Sequence, residues 1–254
     1  MNTVRKRFGQ NFLTDPGIIN RIARAINAGS EDRVVEIGPG RGALTESLAA
    51  SGCNLTLIEI DRDLAASLAE KFPEAELITA DVMKTNFQDF EPGPLRVAGN
   101  LPYNISTPLL FHLFQYGSLI SDMHFMLQLE VVNRMTADVS TRAYGRLSVM
   151  TQLYCETEKL FEVPPEAFTP RPKVQSAIIR LRPKPLPPAM DTNLLEKILI
   201  AAFSARRKTI RNALKGFFTP EQLESAGVNP SLRPENLTIE QFAACVSLIR
   251  PGTA

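Results

Sequence analysis

Between residues 33 and 129, five short apolar runs recur at roughly 20-residue spacing, with helical patterns between them. The runs cover 33–37, 54–60, 76–79, 95–99 and 124–129, and helical stretches such as 44–50 and 64–71 separate them. Strand and helix in this alternation imply a mostly parallel sheet covered by helices, the Rossmann-like α/β class. Two helix starts are marked locally. Asp15-Pro16 and Thr107-Pro108 each set a capping side chain before a proline suited to a first turn.

The rhythm breaks after Leu181. Residues 182–188 hold four prolines in seven positions, which favours extended, semi-rigid chain. Beyond them only helical patterns follow. Thr219-Pro220-Glu221-Gln222 and Thr238-Ile239-Glu240-Gln241 both have capping-box spacing. The expected organisation is an α/β domain over 1–181, a linker over 182–190 and a small all-helical domain over 191–254.

Composition excludes several classes. With 254 residues, 44% hydrophobic and 22% charged, the chain can bury a core without disulfide or metal staples. Cys53, Cys155 and Cys245 are odd in number and far apart, so neither a disulfide framework nor a CxxC metal site is expected. Only His112 and His124 are present, which leaves a zinc site or a His-based triad little to draw on, and no metal is expected. No apolar run reaches membrane-spanning length, the N-terminus lacks an apolar signal core, and no lipidation motif ends the chain. The expectation is a soluble cytoplasmic protein with no membrane partner. The net charge of +1 hides segregation: residues 1–29 and 164–188 each hold five basic residues against one acid, and 204–216 hold five against none. If the fold gathers these segments on one face, that face attracts a polyanion.

The glycine loop Glu36-Ile37-Gly38-Pro39-Gly40-Arg41-Gly42 lies between a strand and a helix, where open α/β sheets bind nucleotide-type cofactors. Two readings stay open there. Gly38 to Ala43 fits the G-x-G-x-x-A dinucleotide form, and Glu59 lies 21 residues after Gly38, where a ribose-binding acid belongs. That would make the chain a nicotinamide dehydrogenase. The other reading is S-adenosyl-L-methionine. Glu36, two residues before the first glycine, suits an ammonium or sulfonium better than a pyrophosphate. Glu59 can accept both ribose hydroxyls, and Asp81 can accept the adenine amine or serve as a helix cap.

The most specific signal is Asn100-Leu101-Pro102-Tyr103, after the fourth strand. It gathers an amide acceptor, a free carbonyl, a rigid proline and an aromatic face at the cleft. A planar exocyclic amine is a poor nucleophile because its lone pair is delocalised. The Asn100 side-chain oxygen and the Leu101 carbonyl can bind its two N–H groups and favour a pyramidal nitrogen, freeing the lone pair for attack. Tyr103 can stack on an extruded base.

At these residues the chain resembles the ribosomal RNA adenine N6-dimethyltransferases, most closely the bacterial small-subunit (16S) group tied to kasugamycin sensitivity. The likeness runs nearly end to end. Lys6 to Leu13 looks like the family's N-terminal cofactor motif, in which Asn11 and Leu13 contact the methionine and adenosine ends of the cofactor. Gly38 and Gly40 fall in its glycine loop. Glu59 with Ile60 falls at its ribose acid, Asp81 with Val82 at its adenine acid, and Asn100 to Tyr103 in its amine-methylating motif. Phe168 to Ser176 resembles the target-base loop, whose Phe168 would sandwich adenine against Tyr103. Residues 202–212 resemble the signature of its helical domain. Two departures are Ala80 where the family usually has Gly, and Leu129 where Lys is common. The resemblance implies S-adenosylmethionine as cofactor, S-adenosylhomocysteine as product, and N6,N6-dimethylation of two adjacent adenosines near the 3′ end of small-subunit ribosomal RNA. The expected partner is a 30S-type particle or its precursor, met by a monomer with a role in subunit biogenesis. Within the family, a large-subunit methyltransferase conferring macrolide resistance is the nearest rival. A non-catalytic RNA-binding assembly factor on the same scaffold also stays open.

Arg206, Arg207, Lys208 and Arg211 are the candidate RNA contacts. Arg207, Arg211 and Lys215 are spaced to share one helix face, with Phe203, Ile210, Leu214 and Phe217 on the other. Such a stripe gives salt-dependent, mostly sequence-blind affinity for phosphates.

Overall fold

The structure is a computed structural model that describes residues 11–185, 190–204 and 207–249. Its strands are β1 (Phe12–Leu13), β2 (Arg33–Ile37), β3 (Asn54–Glu59), β4 (Glu76–Thr79), β5 (Leu95–Asn100), β6 (Ile120–Gln128), β7 (Cys155–Val163), β8 (Phe168–Thr169) and β9 (Ser176–Pro183). Its helices are α1 (Pro16–Ile26), α2 (Ala43–Ala50), α3 (Arg62–Lys71), α4 (Ser106–Phe114), α5 (Leu129–Met135), α6 (Arg146–Tyr154), α7 (Thr192–Ser204), α8 (Ile210–Ala213), α9 (Pro220–Ser225) and α10 (Ile239–Leu248).

Seven strands form one sheet in the order β4-β3-β2-β5-β6-β9-β7, and β1 pairs separately with β8. The sheet is parallel from β4 through β6, and β9 joins antiparallel to β6. Central strands are buried on both faces, so they read as near-continuous apolar runs. Val34, Val35 and Ile37 of β2 and Leu55, Leu57 and Ile58 of β3 are all at most 4% exposed. From β2 the chain winds one way to β3 and β4; β5 and β6 extend the other way. The switch point therefore lies at the carboxyl ends of β2 and β5, where an open sheet leaves a crevice.

Local chemistry explains the entry to α1. Asp15 caps it by accepting from the Ile18 amide at 2.9 Å, and Pro16 opens the first turn. Thr219 and Thr238 likewise form capping boxes with Gln222 and Gln241. The expected cap at Thr107 is not formed. Helix α4 starts at Ser106, whose hydroxyl donates to the Tyr103 carbonyl at 3.1 Å, so Thr107 lies inside the first turn. Pro108 still fits there, because first-turn amides have no intrahelical acceptor. The fifth strand begins at Ile120 rather than His124, and Leu129 already belongs to α5.

The chain divides into two compact units. The first runs through Val132 and adds Thr157–Pro183; the second joins Asn133–Glu156 to the described residues from Lys184 onward. Residues 133–156, counted above with the α/β domain, therefore pack with the helices beyond the linker. The reason is apolar: Tyr144 is 1% exposed, donates its hydroxyl to the Leu237 carbonyl at 3.0 Å, and meets the Phe203 ring edge-on at 6.3 Å. Leu195, Ile198, Leu199, Ile210, Leu214, Leu223 and Phe242 complete that core. Of the proline-rich stretch, residues 186–189 lie outside the described residues.

The continuous basic helix face does not exist. Helix α7 ends at Ser204 and α8 spans only Ile210–Ala213, so Arg207 precedes α8 and Lys215 follows it. Ile210 and Leu214 are fully buried as expected, and the bends around them leave Arg211 on α8 but set Arg207 and Lys215 on the turns before and after it.

Candidate active site

A cavity of about 290 Å³ opens at the switch point within the first unit. The carboxyl ends of β2, β3 and β5, the turn after β4, and the segment 11–13 supply its walls. Gly38 and Gly40 turn the chain with φ of 64° and 60°, left-handed values that L side chains rarely adopt. At Gly40 a Cβ would also sit 3.2 Å from the Phe12 ring. Gly99 is needed for another reason. A Cβ there would lie 2.4 Å from the Ile37 carbonyl oxygen, so the glycine lets β5 press against the end of β2.

Three acids face this space, each held differently. Glu36 is 2% exposed and accepts from the Thr45 hydroxyl at 2.6 Å. Burial pushes its carboxyl up to about 7; the Thr45 bond opposes this and the Glu59 charge adds to it. Glu59 is buried and is gripped by two backbone amides, Asp61 at 2.9 Å and Gly40 at 3.1 Å. Burial raises its carboxyl even so, against the pull of those amides. Asp81 caps a short 3-10 turn, accepting from the Met83 amide at 3.0 Å through one oxygen, and also lines the cavity. Cap and cavity acid are thus compatible, because a carboxylate has two oxygens. Beside these acids stand Ile60, 47% exposed, and Val82, 6% exposed.

The fourth wall is the tetrapeptide. Asn100 donates from Nδ2 to the Asn11 carbonyl at 3.0 Å, which fixes the orientation of its amide. Its oxygen end is then the end left for the cavity. The Leu101 side chain is 1% exposed and anchors the loop in the core, while its amide bonds the Met126 carbonyl at 3.3 Å. Tyr103 is tied by its hydroxyl to Ser176 Oγ at 2.8 Å, and Ser176 is fully buried at the start of β9. That bond joins the tetrapeptide to the loop matched to the target-base motif.

The structure therefore brings Asn11, Leu13, Gly38, Gly40, Glu59, Ile60, Asp81, Val82, Asn100, Leu101 and Tyr103 around one cavity. It does not bring Phe168 there. Phe168 is 4% exposed, pairs with Leu13 across β1 and β8, and packs with Ile22, Met126 and Ile178 in the core. The ring is claimed by apolar packing, so a sandwich with Tyr103 is absent. The aromatic that does line the cavity is Phe12, with the Arg41 guanidinium 4.4 Å from its centroid. Arg207, Lys208 and Arg211 are exposed in the second unit, and Arg206 lies outside the described residues. Among the described residues, no group of three or more His, Cys, Asp or Glu is placed to hold a metal ion, and no helix is long and apolar enough to cross a membrane.

Sequence reasoning missed Thr45, Ser176 as the partner of Tyr103, and His124, which lines the cavity at 3% exposure. The alternation Asp122, His124, Met126 on one face of β6 was the available signal for His124.

Comparison with known proteins supplies the family. A model described as ribosomal RNA adenine dimethylase matches residues 1–250. The protein named Ribosomal RNA small subunit methyltransferase A of Pseudomonas fluorescens is 54% identical over 245 residues, covering 94% of this chain and 91% of that one. The one of the same name from Marinobacter nauticus is 52% identical over 251 residues, 96% of this chain and 91% of its own. Among solved structures, a dimethyladenosine transferase from Plasmodium falciparum is 28% identical with TM-score 0.78, covering 92% of this chain and 95% of that one. The 23S rRNA methyltransferase ErmE is 30% identical with TM-score 0.74, over 94% of this chain and 99% of its own.

Proposed function

The chain belongs to the ribosomal RNA adenine dimethylase family, and on that premise we propose that it transfers methyl groups from S-adenosylmethionine to the N6 amines of two adjacent adenosines near the 3′ end of small-subunit ribosomal RNA. The observation that carries this reading is the Asn100 amide, fixed by the Asn11 carbonyl at a cavity that also holds Glu36, Glu59 and Asp81.

The residues present fit the cofactor. Backbone at Gly38 and Gly40 allows close approach, Glu59 is oriented to take ribose hydroxyls, Asp81 has an oxygen for the adenine amine, and Ile60 and Val82 offer apolar contact to the adenine faces. Glu36 suits the cationic methionine end. When bound, S-adenosylmethionine supplies a methyl group on a positively charged sulfur. Asn100 and Leu101 do the orienting. The Asn100 oxygen and the Leu101 carbonyl accept the two N–H groups of the target amine, so its lone pair faces the methyl carbon. The methyl carbon would bond to that nitrogen, with the carbon–sulfur pair left on sulfur. The nitrogen, now cationic and acidic, loses a proton to solvent. Asn100 is neutral and needs no role as a base; its dipole stabilises charge that develops only during transfer. Tyr103, held by Ser176, offers the face on which an extruded adenine stacks.

The basic turn around α8 supplies phosphate contacts through Arg207, Lys208 and Arg211, with Arg206 proposed beside them. We assign the target to the small subunit because the relatives at 52% and 54% identity carry that name, whereas the large-subunit enzyme is 30% identical. The proposed partner is a 30S-type particle, met by a monomer in the cytoplasm, where ribosomal RNA is assembled.

Labelled S-adenosylmethionine incubated with undermethylated small and large subunits tests this. Label is expected in small-subunit RNA, recovered after digestion as N6,N6-dimethyladenosine. Label confined to large-subunit RNA, or no transfer at all, overturns it.

A further inference from the structure

A buried imidazole lies beneath the cavity and the reaction above does not use it. Glu36 of β2 pairs directly with Ala98 of β5, and Ala98 with His124 of β6. Directly paired residues share a face of the sheet, so Glu36 and His124 rise on either side of the small Ala98 side chain. Two strand spacings set their Cα atoms about 9.6 Å apart. Both line the cavity, at 2% and 3% exposure.

His124 is short of partners. Its Nδ1 lies 3.4 Å from Asp122 Oδ1, near enough for attraction but longer than an ordinary hydrogen bond. Among the described residues, neither ring nitrogen has a hydrogen-bond partner. Buried polar atoms in this state are commonly satisfied by ordered water where the site is polar and roomy. Behind it, Asp122 is committed to Arg96, whose Nη2 is 2.8 Å away, and Arg96 also reaches Asp32 at 3.1 Å. Burial works to raise the Asp122 carboxyl, and the neighbouring His124 and Arg96 outweigh it, holding that carboxyl below its ordinary range.

We propose that Glu36 and His124 share an ordered water above Ala98, and that the Glu36 carboxylate, held through that water, takes up a proton from solvent when a cationic ligand in the cavity is replaced by a neutral one. Resting on the function proposed above, this makes His124 a specificity residue that helps the protein release S-adenosylhomocysteine and rebind S-adenosylmethionine. The sulfonium carries one more positive charge than the thioether left after transfer. Losing that charge leaves a buried carboxylate without a counter-charge, and a proton restores the balance. The Glu36 carboxyl, raised to about 7 by burial, is poised for this exchange.

The charged surroundings are few. Facing Glu36 are the Thr45 hydroxyl from α2 and Glu59 from β3, with Arg41 and Asp81 on the same cavity. Around His124 are Asp122, Arg96 and, from β9, Arg180, which pairs with it in register and is bound to Glu158 of β7. Helix α1 contributes the apolar Ile22 to the cavity, and its Arg21 and Arg24 are exposed.

Calorimetry on the full chain tests the proposal. S-adenosylmethionine and S-adenosylhomocysteine are titrated at pH 7 in buffers of different ionisation enthalpy, which counts the protons exchanged on binding. The wild type is expected to release more protons with the sulfonium ligand. The ratio of the two affinities should rise by about tenfold between pH 6 and 8 for one proton on a group near 7, inside the roughly hundredfold limit that one linked proton sets over two pH units. Glu36→Gln should abolish the difference and His124→Gln should shrink it by at least about half, a linked change. Equal proton counts for the two ligands, or an undiminished difference in His124→Gln, overturn the proposal. Side-chain nitrogen NMR of His124 in the wild type gives a second readout that needs no variant. Its ring shifts should differ between the two complexes, and identical shifts overturn the proposal. Failure of the sulfonium ligand to bind at all refutes the cofactor reading itself. Binding without proton linkage refutes only this inference.

Discussion

Glu36→Gln isolates what the buried acid costs the fold. The carboxyl titrates near 7 in the folded chain and near 4.5 when exposed. A raised carboxyl favours the fold when protonated, so stability is lost as pH climbs from the unfolded value towards the folded one. At about 1.4 kcal/mol per decade, the cost is about 1 kcal/mol at pH 5.5 and reaches about 3 kcal/mol at pH 8.5, where both forms are ionised. Glutamine keeps an oxygen for the Thr45 hydroxyl and never ionises. Urea unfolding of wild type and variant without ligand, at both pH values, measures the gap. The variant should gain on the wild type by about 2 kcal/mol between pH 5.5 and 8.5. Because every other carboxylate is common to both proteins, a gap that does not change with pH refutes the assignment of a strained buried charge at Glu36.

Three further outcomes follow from the geometry. Gly99→Ala would drive a Cβ against the Ile37 carbonyl oxygen; it should lower stability by about 1–3 kcal/mol in urea, and unchanged stability would contradict the close approach of β5 to β2. Ser176→Ala and Tyr103→Phe each remove the same 2.8 Å bond. Each should slow turnover by roughly tenfold, a loss of about one ordinary hydrogen bond, and the double variant should be no slower than either single; additive losses in a single-turnover assay would show that the two side chains act separately. Replacing Arg207, Lys208 and Arg211 together with alanine should weaken RNA binding and cut the slope of log affinity against log salt by about two to three, with cofactor affinity unchanged; an unaltered slope removes the turn around α8 from the RNA interface.

The sequence carried the parallel strands β2, β3, β5 and β6 because they are largely buried and read as apolar runs; β4, a half-exposed edge strand, was legible only from its place in the alternation. Strand β7 was hidden: Cys155–Val163 mixes Glu156, Glu158, Lys159 and Glu162 with apolar residues and is largely exposed. Strand β9 was equally unread, since its Ser176–Pro183 run gives no periodicity that separates strand from helix. Asn100 and Glu59 were legible from position alone, being polar residues at the ends of apolar strands. Phe168 was not, because spacing says where a residue lies in a motif, and only packing says whether its ring is free. The basic segment misled for a related reason. A four-residue period held across Arg207, Arg211 and Lys215, but Ser204 ends α7 and α8 lasts only to Ala213. His124 escaped notice because one imidazole among apolar neighbours looks like ordinary core until the cavity beside it is seen.

The claim everything else depends on is that Asn100 and the Leu101 carbonyl hold the reacting amine. A crystal structure with S-adenosylhomocysteine and a short RNA bearing the target adenosine measures it directly. The account predicts the adenine stacked on Tyr103 with N6 about 2.9 Å from both the Asn100 oxygen and the Leu101 carbonyl oxygen, its lone pair facing sulfur. An adenine bound elsewhere in the cavity, with N6 making neither contact, contradicts it.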